Sequence, residues 1–165
     1  NRFGKKGYKH YDVDLPGYKF NMTDIQASIG IHQLRRITNN WKIRKKIWNQ
    51  YYKSLQKFPV ILPKKIKKND KHSFHLFTIL IDASKTNISR NAFMSKMNEF
   101  GIGVGVHYQA IADLSYYKKE LKININDFPN SKFIGRNTVS LPISTKMSIQ
   151  QIKKVIEAVK RIFDV

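Results

Sequence analysis

Thr23-Asp24-Ile25-Gln26-Ala27-Ser28-Ile29-Gly30 has the T-x-x-Q form of a capping box followed by apolar residues at helical spacing. The Thr hydroxyl and the Gln amide oxygen of such a box accept from backbone N–H groups that the first helical turn leaves without partners, so a helix starts here. Ile25, Ile29 and His32 fall on one face, and Ile37, Trp41, Trp48, Tyr52 and Leu55 continue the stripe until Pro59 stops it. Gly30 costs about 1 kcal/mol relative to Ala in a helix, which implies close approach of another backbone or a tolerated defect. Asn39-Asn40 is the expected place for a bend between two helices.

Beyond this helix, Pro63 to Lys71 combines Pro, Lys, Asn and Asp with little to bury and reads as a surface connection. Ser73-Phe74-His75-Leu76-Phe77-Thr78-Ile79-Leu80-Ile81 is apolar on both parities, the pattern of a strand buried on both faces. Ser89 caps a helix with Phe93, Met97 and Phe100 inward and Gly101 at its end. The alternation in Ile102-Gly103-Val104-Gly105-Val106-His107-Tyr108 predicts a strand closely approached by other atoms. Short helical pieces are expected over 113–121 and after Pro129, and Val139 to Ile143 reads as extended. Ser148 and Gln151 repeat the capping box, and Ile149, Ile152, Val155, Ile156, Val159, Ile162 and Phe163 give the last helix a continuous apolar face. Toward the N-terminus, the residues up to Pro16-Gly17 show no apolar period and read as loop; they lack an initiator Met, which reads as a cut-in point. The pattern is mixed α and β, a long helix leading into a small strand–helix–strand–helix unit.

With 165 residues, 41% hydrophobic and 12% aromatic, the chain is large enough for a real core and too apolar for a disordered tail. No apolar run approaches the roughly 20 residues of a membrane-spanning helix, and a soluble chain is expected. The absence of cysteine excludes disulfides, thiolate catalysis and cysteine-ligated metals. A net charge of +20, from 31 Lys and Arg against 11 Asp and Glu, invites a nucleic-acid reading. Lysines nevertheless occur in nearly every segment, densest at Lys42 to Lys46 and Lys64 to Lys68, and a charge run is normally solvated surface unless positioned aromatics accompany it. Nucleic acid is therefore not the expected partner, and a basic nucleic-acid-binding module stays as the alternative reading.

His72 and His75 are three apart in an expected strand and point to opposite faces, which argues against a shared metal. Gly101-Ile102-Gly103-Val104-Gly105 lacks the Walker lysine and the following helix of a phosphate loop. Ser140-Leu141-Pro142 lacks the glycine pattern of a nucleophile elbow. His107-Tyr108, at the end of a run of small residues, is the better candidate, because it presents an imidazole and a phenol to a ligand.

The stretch Gly17-Tyr18-Lys19-Phe20-Asn21-Met22-Thr23-Asp24-Ile25-Gln26-Ala27-Ser28-Ile29-Gly30, with Gln33-Leu34, resembles a signature of the DegT/DnrJ/EryC1/StrS sugar aminotransferases. The likeness continues in register through Arg44, Tyr51, His75-Leu76-Phe77, Ser89-Arg90, Gly101-Ile102, His107-Tyr108, Tyr116-Tyr117 and Ser140-Leu141-Pro142-Ile143, so it covers nearly the whole chain. The variants at 17–21 and 101–108 look most like the branch that aminates a UDP-4-keto-pentose, the UDP-4-amino-4-deoxy-L-arabinose aminotransferases.

The resemblance implies the C-terminal portion of a fold-type I, pyridoxal-phosphate-dependent transferase in the α/β class, a long linking helix plus a small sheet covered by helices. Residues 1–36 would end the large cofactor-binding domain and 37–165 would form the small domain, including the linking helix. The lysine that bonds the cofactor's aldehyde lies upstream in such enzymes, so this segment alone is expected to be inactive and to contain no catalytic residue. A sugar dehydratase of the same fold, which replaces that lysine, and a piece that has lost its catalytic half are the other readings. The family is typically dimeric, and the loop before the long helix reaches toward the neighbour's cofactor phosphate; here that implies Asn21 first, or Lys19, a departure from the many relatives that carry Asn where Lys19 stands and Arg where Asn21 stands. The resemblance also puts His107 and Tyr108 near a nucleotide-sugar substrate, with glutamate as the implied amino donor, a homodimer as the assembly and the cytoplasm as the location.

Overall fold

The computed structural model describes residues 15–67 and 69–163, together with the backbone of Phe3–Gly4 and Gly7–Tyr8. The chain forms two compact units, residues 1–36 and residues 37–165.

In the first unit, β1 (Phe3–Gly4) pairs antiparallel with β2 (Gly7–Tyr8), where the sequence reads as loop. The capping box forms as expected: Thr23 N–H donates to Gln26 Oε1 at 3.0 Å and Gln26 N–H to Thr23 Oγ1 at 3.3 Å. It opens α1 (Asp24–Leu55), 32 residues without interruption. The expected bend at Asn39-Asn40 is absent, because two poor helix formers cost only tenths of a kcal/mol each and a helix already nucleated carries through them. Nothing approaches Gly30 closely, so the defect is simply tolerated. In this unit Ile25, Ile29 and Leu34 are all more than half exposed.

The second unit is built around β3 (Phe77–Leu80), which pairs antiparallel with a later strand, β4 (Thr138–Leu141), in the register Phe77↔Leu141, Thr78↔Ser140, Ile79↔Val139 and Leu80↔Thr138. Ile61 bridges the free edge of β3 and Gly105 the free edge of β4. Opposed residues of an antiparallel pair point to the same side, so Phe77, Leu141, Ile79 and Val139 form one apolar face and Thr78 and Ser140 lie on the other. The apolar face meets the last turns of α1: Tyr51 and Trp48 pack edge-on against Phe77 with ring centroids 5.3 and 5.2 Å away. The Tyr51 side chain is fully buried, which raises its phenol well above the usual value, and its hydroxyl donates to the Pro142 carbonyl at 2.8 Å.

The strand expected over 73–81 is shorter than its apolar run. Phe74 adopts φ 52°, a left-handed conformation uncommon for a bulky residue, and this ends extended backbone before β3. Its ring is buried among Trp41, Trp48 and His72, and its N–H donates to His72 Nδ1 at 3.0 Å, contacts that outweigh the local strain. Burial alternates along β3 rather than covering both faces.

After α2 (Ala83–Thr86), Ser89 caps α3 (Arg90–Glu99) by accepting from Ala92 N–H at 3.2 Å. Phe93 and Met97 are fully buried, and Gly101, at φ 67°, supplies the left-handed residue that terminates the helix. The predicted strand over 102–108 does not form: glycine's backbone freedom leaves an irregular segment joined to β4 only through Gly105, and Gly103 is open to solvent instead of closely approached. A 3-10 turn (Ile111–Asp113), α4 (Ser115–Lys119), a second turn (Ile125–Asp127) and α5 (Pro129–Asn137) follow, as expected for this region. Ser148 and Gln151 cap α6 (Ile149–Phe163), whose Ile152, Val155, Val159 and Ile162 enter the core shared with α1, α3 and the sheet. Among the described residues no helix is long and apolar enough to cross a membrane.

Candidate functional site

Ser140 occupies the middle of the small sheet, paired to Thr78 on one side and bridged to Gly105 on the other. The bridge is a reciprocal pair: Gly105 N–H donates to the Ser140 carbonyl at 3.1 Å and Ser140 N–H to the Gly105 carbonyl at 2.7 Å. It brings the chain back over Ser140, so that His107 Nδ1 lies 2.9 Å from Ser140 Oγ. Ser140 is 4% exposed, and His107 is the partner that satisfies its hydroxyl. Because the ring doubles back, a Cβ on Gly105 would sit 2.9 Å from His107 Cε1 and would push the ring from its place. The imidazole meets the Tyr108 ring edge-on at 4.9 Å, and Tyr108 itself is 76% exposed. The outcome is an oriented imidazole beside an outward-facing phenol, two hydrogen-bonding groups directed away from a fixed backbone.

Sequence reasoning paired His107 with Tyr108 and weighed Ser140 only as a nucleophile. The hydroxyl that fixes the imidazole was missed, although Ser140 stands within the Ser140-Leu141-Pro142-Ile143 motif that carries the family likeness.

The segment after Tyr108 is held by a second set of contacts that the sequence did not signal. Asp113 Oδ2 accepts from Arg136 Nε at 3.0 Å, and its Oδ1 accepts from Arg136 Nη2 at 3.2 Å and Lys118 Nζ at 2.6 Å. The Arg136 hydrogen bonds, followed by that of Lys118, hold the Asp113 carboxyl well below the usual carboxylate range. The fork ties the 3-10 turn, α4 and α5 together. Gly135 of α5 meets the backbone of Ala110 so closely that a Cβ would come 2.5 Å from Ala110 N.

Lys19 and Asn21 belong to the first unit, on the exposed approach to α1, where their side chains have no partner among the described residues. His107 and Tyr108 belong to the second, so the structure describes the two pairs separately. His72, far from acting as a ligand, accepts from Phe74 N–H through Nδ1 and from Trp41 Nε1 through its carbonyl at 2.7 Å.

The sequence pattern of the DegT/DnrJ/EryC1/StrS aminotransferase family matches residues 1–160. The chain belongs to this family. A relative, the spore coat polysaccharide biosynthesis protein SpsC of Bacillus subtilis, is 34% identical over 163 residues, covering 98% of this chain and 42% of SpsC. Among solved structures, Spr1654 of Streptococcus pneumoniae, named as a sugar aminotransferase, superposes with a TM-score of 0.81 at 28% identity, over 94% of this chain and 38% of Spr1654. Spr1654 is known in apo, PMP and PLP forms. PseC of Helicobacter pylori, an aminotransferase involved in pseudoaminic acid biosynthesis, shares the fold with a TM-score of 0.79 at 20% identity, over 97% of this chain and 42% of PseC. The α/β architecture of this DegT/DnrJ/EryC1/StrS chain is thus that of part of a pyridoxal-phosphate-dependent aminotransferase, and it spans about two fifths of the length of these relatives.

Proposed function

We propose that this chain is the C-terminal part of a subunit that transfers an amino group from glutamate to a nucleotide-linked keto sugar. The observation that carries the reading is the exposed Tyr108 phenol beside a His107 imidazole anchored to Ser140. The Ser140 contact holds Nδ1, so in the tautomer in which the Ser140 hydroxyl donates to it the ring donates outward through Nε2 to a phosphate or sugar oxygen, while the phenol donates or accepts beside it. The likeness of residues 17–21 and 101–108 to the UDP-4-keto-pentose branch supports that sugar nucleotide as the substrate.

The donor set on the approach to α1 fits one part of pyridoxal phosphate. The Asn21 amide and the Lys19 ammonium, both exposed and without side-chain partners among the described residues, suit its phosphate, Asn21 as directional donor and Lys19 as point charge. The cofactor supplies the electron sink for moving an amino group when bound. Nothing in residues 1–165 is assigned to bonding its aldehyde, and the segment alone is read as inactive. In this account Asn21 holds the phosphate of a neighbouring subunit in a homodimer, and His107 and Tyr108 orient the substrate. The same reading places the reaction in the cytoplasm.

The test is steady-state kinetics of the complete, pyridoxal-phosphate-loaded subunit with UDP-4-keto-pentose. His107→Ala and Tyr108→Phe are each expected to raise KM for the nucleotide sugar about tenfold or more while KM for glutamate stays within about twofold, the loss of one or two hydrogen bonds to a charged group. Unchanged KM for the sugar nucleotide in both variants would remove these residues from the site.

A further inference from the structure

Away from His107 and Tyr108, the structure brings Lys45, from the lysine run at 42–46, to the same groove as Lys65 and Lys67 of the run at 64–68. A groove of about 530 Å³ lies between the middle of α1 and the segment 65–74; Lys45 and Lys53 enter it from the helix, Lys65 and Lys67 from the segment. A second hollow of about 260 Å³ shares Lys65, Lys67, Asp70 and His72 with the first and adds Lys64 and Lys71. Among the described residues, six lysines therefore line the two hollows against a single carboxylate, Asp70, which is already engaged as acceptor for the Lys67 backbone N–H at 3.3 Å.

The floor of the groove is aromatic and rigid. Trp41 is fixed by its hydrogen bond to the His72 carbonyl, and Trp48 stacks on Tyr52 with centroids 5.2 Å apart and planes at 15°. Trp41 and Tyr52 are half-buried and line the groove. The Lys45 ammonium sits over the Trp41 ring, 4.8 Å from its centroid, a cation held on an aromatic face at the groove. The sequence alone gave these lysines as solvated surface for want of accompanying aromatics, and here the aromatics accompany them.

We propose that this groove binds single-stranded nucleic acid. Lysines spaced along a track neutralise successive phosphates, and flat side chains beneath them stack unpaired bases without regard to sequence. The track continues through two adjoining hollows, longer than one phosphate group needs, and a concave floor with recessed rings suits splayed bases rather than the closed stack of a duplex. The overall charge of +20 steers a polyanion toward it. The groove contains none of Lys19, Asn21, His107 or Tyr108, so this site stands or falls apart from the aminotransferase reading.

The experiment is fluorescence anisotropy of the 165-residue chain with a labelled single-stranded oligouridylate of about ten nucleotides, within the site sizes such grooves cover. Binding is expected at low salt, with log affinity falling against log salt by about 0.7 for each phosphate neutralised. The triple variant Lys45→Ala, Lys65→Ala, Lys67→Ala is expected to weaken it at least about tenfold, and the charge-matched triple Lys85→Ala, Lys96→Ala, Lys146→Ala, placed on exposed positions elsewhere, less than about threefold, because phosphate contacts are local. Tyr52→Leu, checked for unchanged circular dichroism, is expected to lower affinity several-fold without changing the salt slope. No binding at low salt, equal losses in the two triples, a duplex bound as tightly as the single strand, or UTP displacing the oligomer at equal nucleotide concentration would each overturn the proposal.

Discussion

His107 and Ser140 are 33 positions apart, and their contact depends on a two-hydrogen-bond bridge at Gly105. Without the Ser140 hydroxyl the imidazole keeps its place in the chain but loses the bond that sets its orientation. Ser140→Ala is therefore expected to raise KM for the sugar nucleotide several-fold with kcat changed by less than about twofold, and to shift the His107 ring resonances in an NMR spectrum, a readout that a merely structural serine would not move. Gly105→Ala, which drives a methyl into the ring, is expected to give the same kinetic pattern. Asp113 offers a prediction in pH. Its carboxyl titrates lower in the folded chain than in the unfolded one, so its contribution to stability is complete above the ordinary carboxylate range, around pH 4, and disappears as pH falls further through the depressed value. Wild type should resist urea better than Asp113→Asn at pH 7, and the difference between their midpoints should shrink steadily below about pH 4. A gap that widened on acidification would refute the sign. The His107–Ser140 and Asp113–Arg136 contacts were not legible beforehand, because each joins residues distant in sequence and has no local period.

At the scale of elements, what could be read was what local chemistry decides. Thr23 with Gln26, Ser89, and Ser148 with Gln151 announced three helix starts, since a cap and its partners lie within one turn. Gly101 announced a helix end through the same locality. Apolar spacing found α6 and the core end of α1. Misreadings had more than one source: Asn39-Asn40 stays helical because a helix already nucleated carries through two poor formers, and Phe74 turns left-handed to bury its ring against Trp41 and Trp48. The alternating Gly and Val of 102–106 looked like a strand but retained too much backbone freedom for more than one bridge. Gly135 is the element-level test. A methyl there must displace the Ala110 backbone, so Gly135→Ala is expected to cost about 1–3 kcal/mol in denaturant unfolding despite its better helix propensity, as overpacking does elsewhere. A stabilised variant would show that α5 and the Ala110 segment separate readily.

On the scale of the molecule, fold and family were legible because the motifs are spread across nearly the whole chain, and the match over residues 1–160 agrees. The candidate site was legible only as a pair of neighbours, His107 and Tyr108; the Ser140 contact beneath His107 and the meeting of Lys45 with Lys65 and Lys67 at one groove required the folded chain. Of the positive groups behind the charge of +20, six lysines among the described residues line the two adjoining hollows. The central claim is that this chain completes a subunit whose chemistry is amino-group transfer to a nucleotide-linked sugar. Its most direct test supplies the complete, cofactor-loaded subunit with glutamate bearing an isotopically labelled nitrogen and with UDP-4-keto-pentose, and follows the label by mass spectrometry. The account predicts labelled nitrogen on the sugar nucleotide with matching formation of 2-oxoglutarate; a folded subunit that binds the cofactor yet leaves the sugar unlabelled would contradict it.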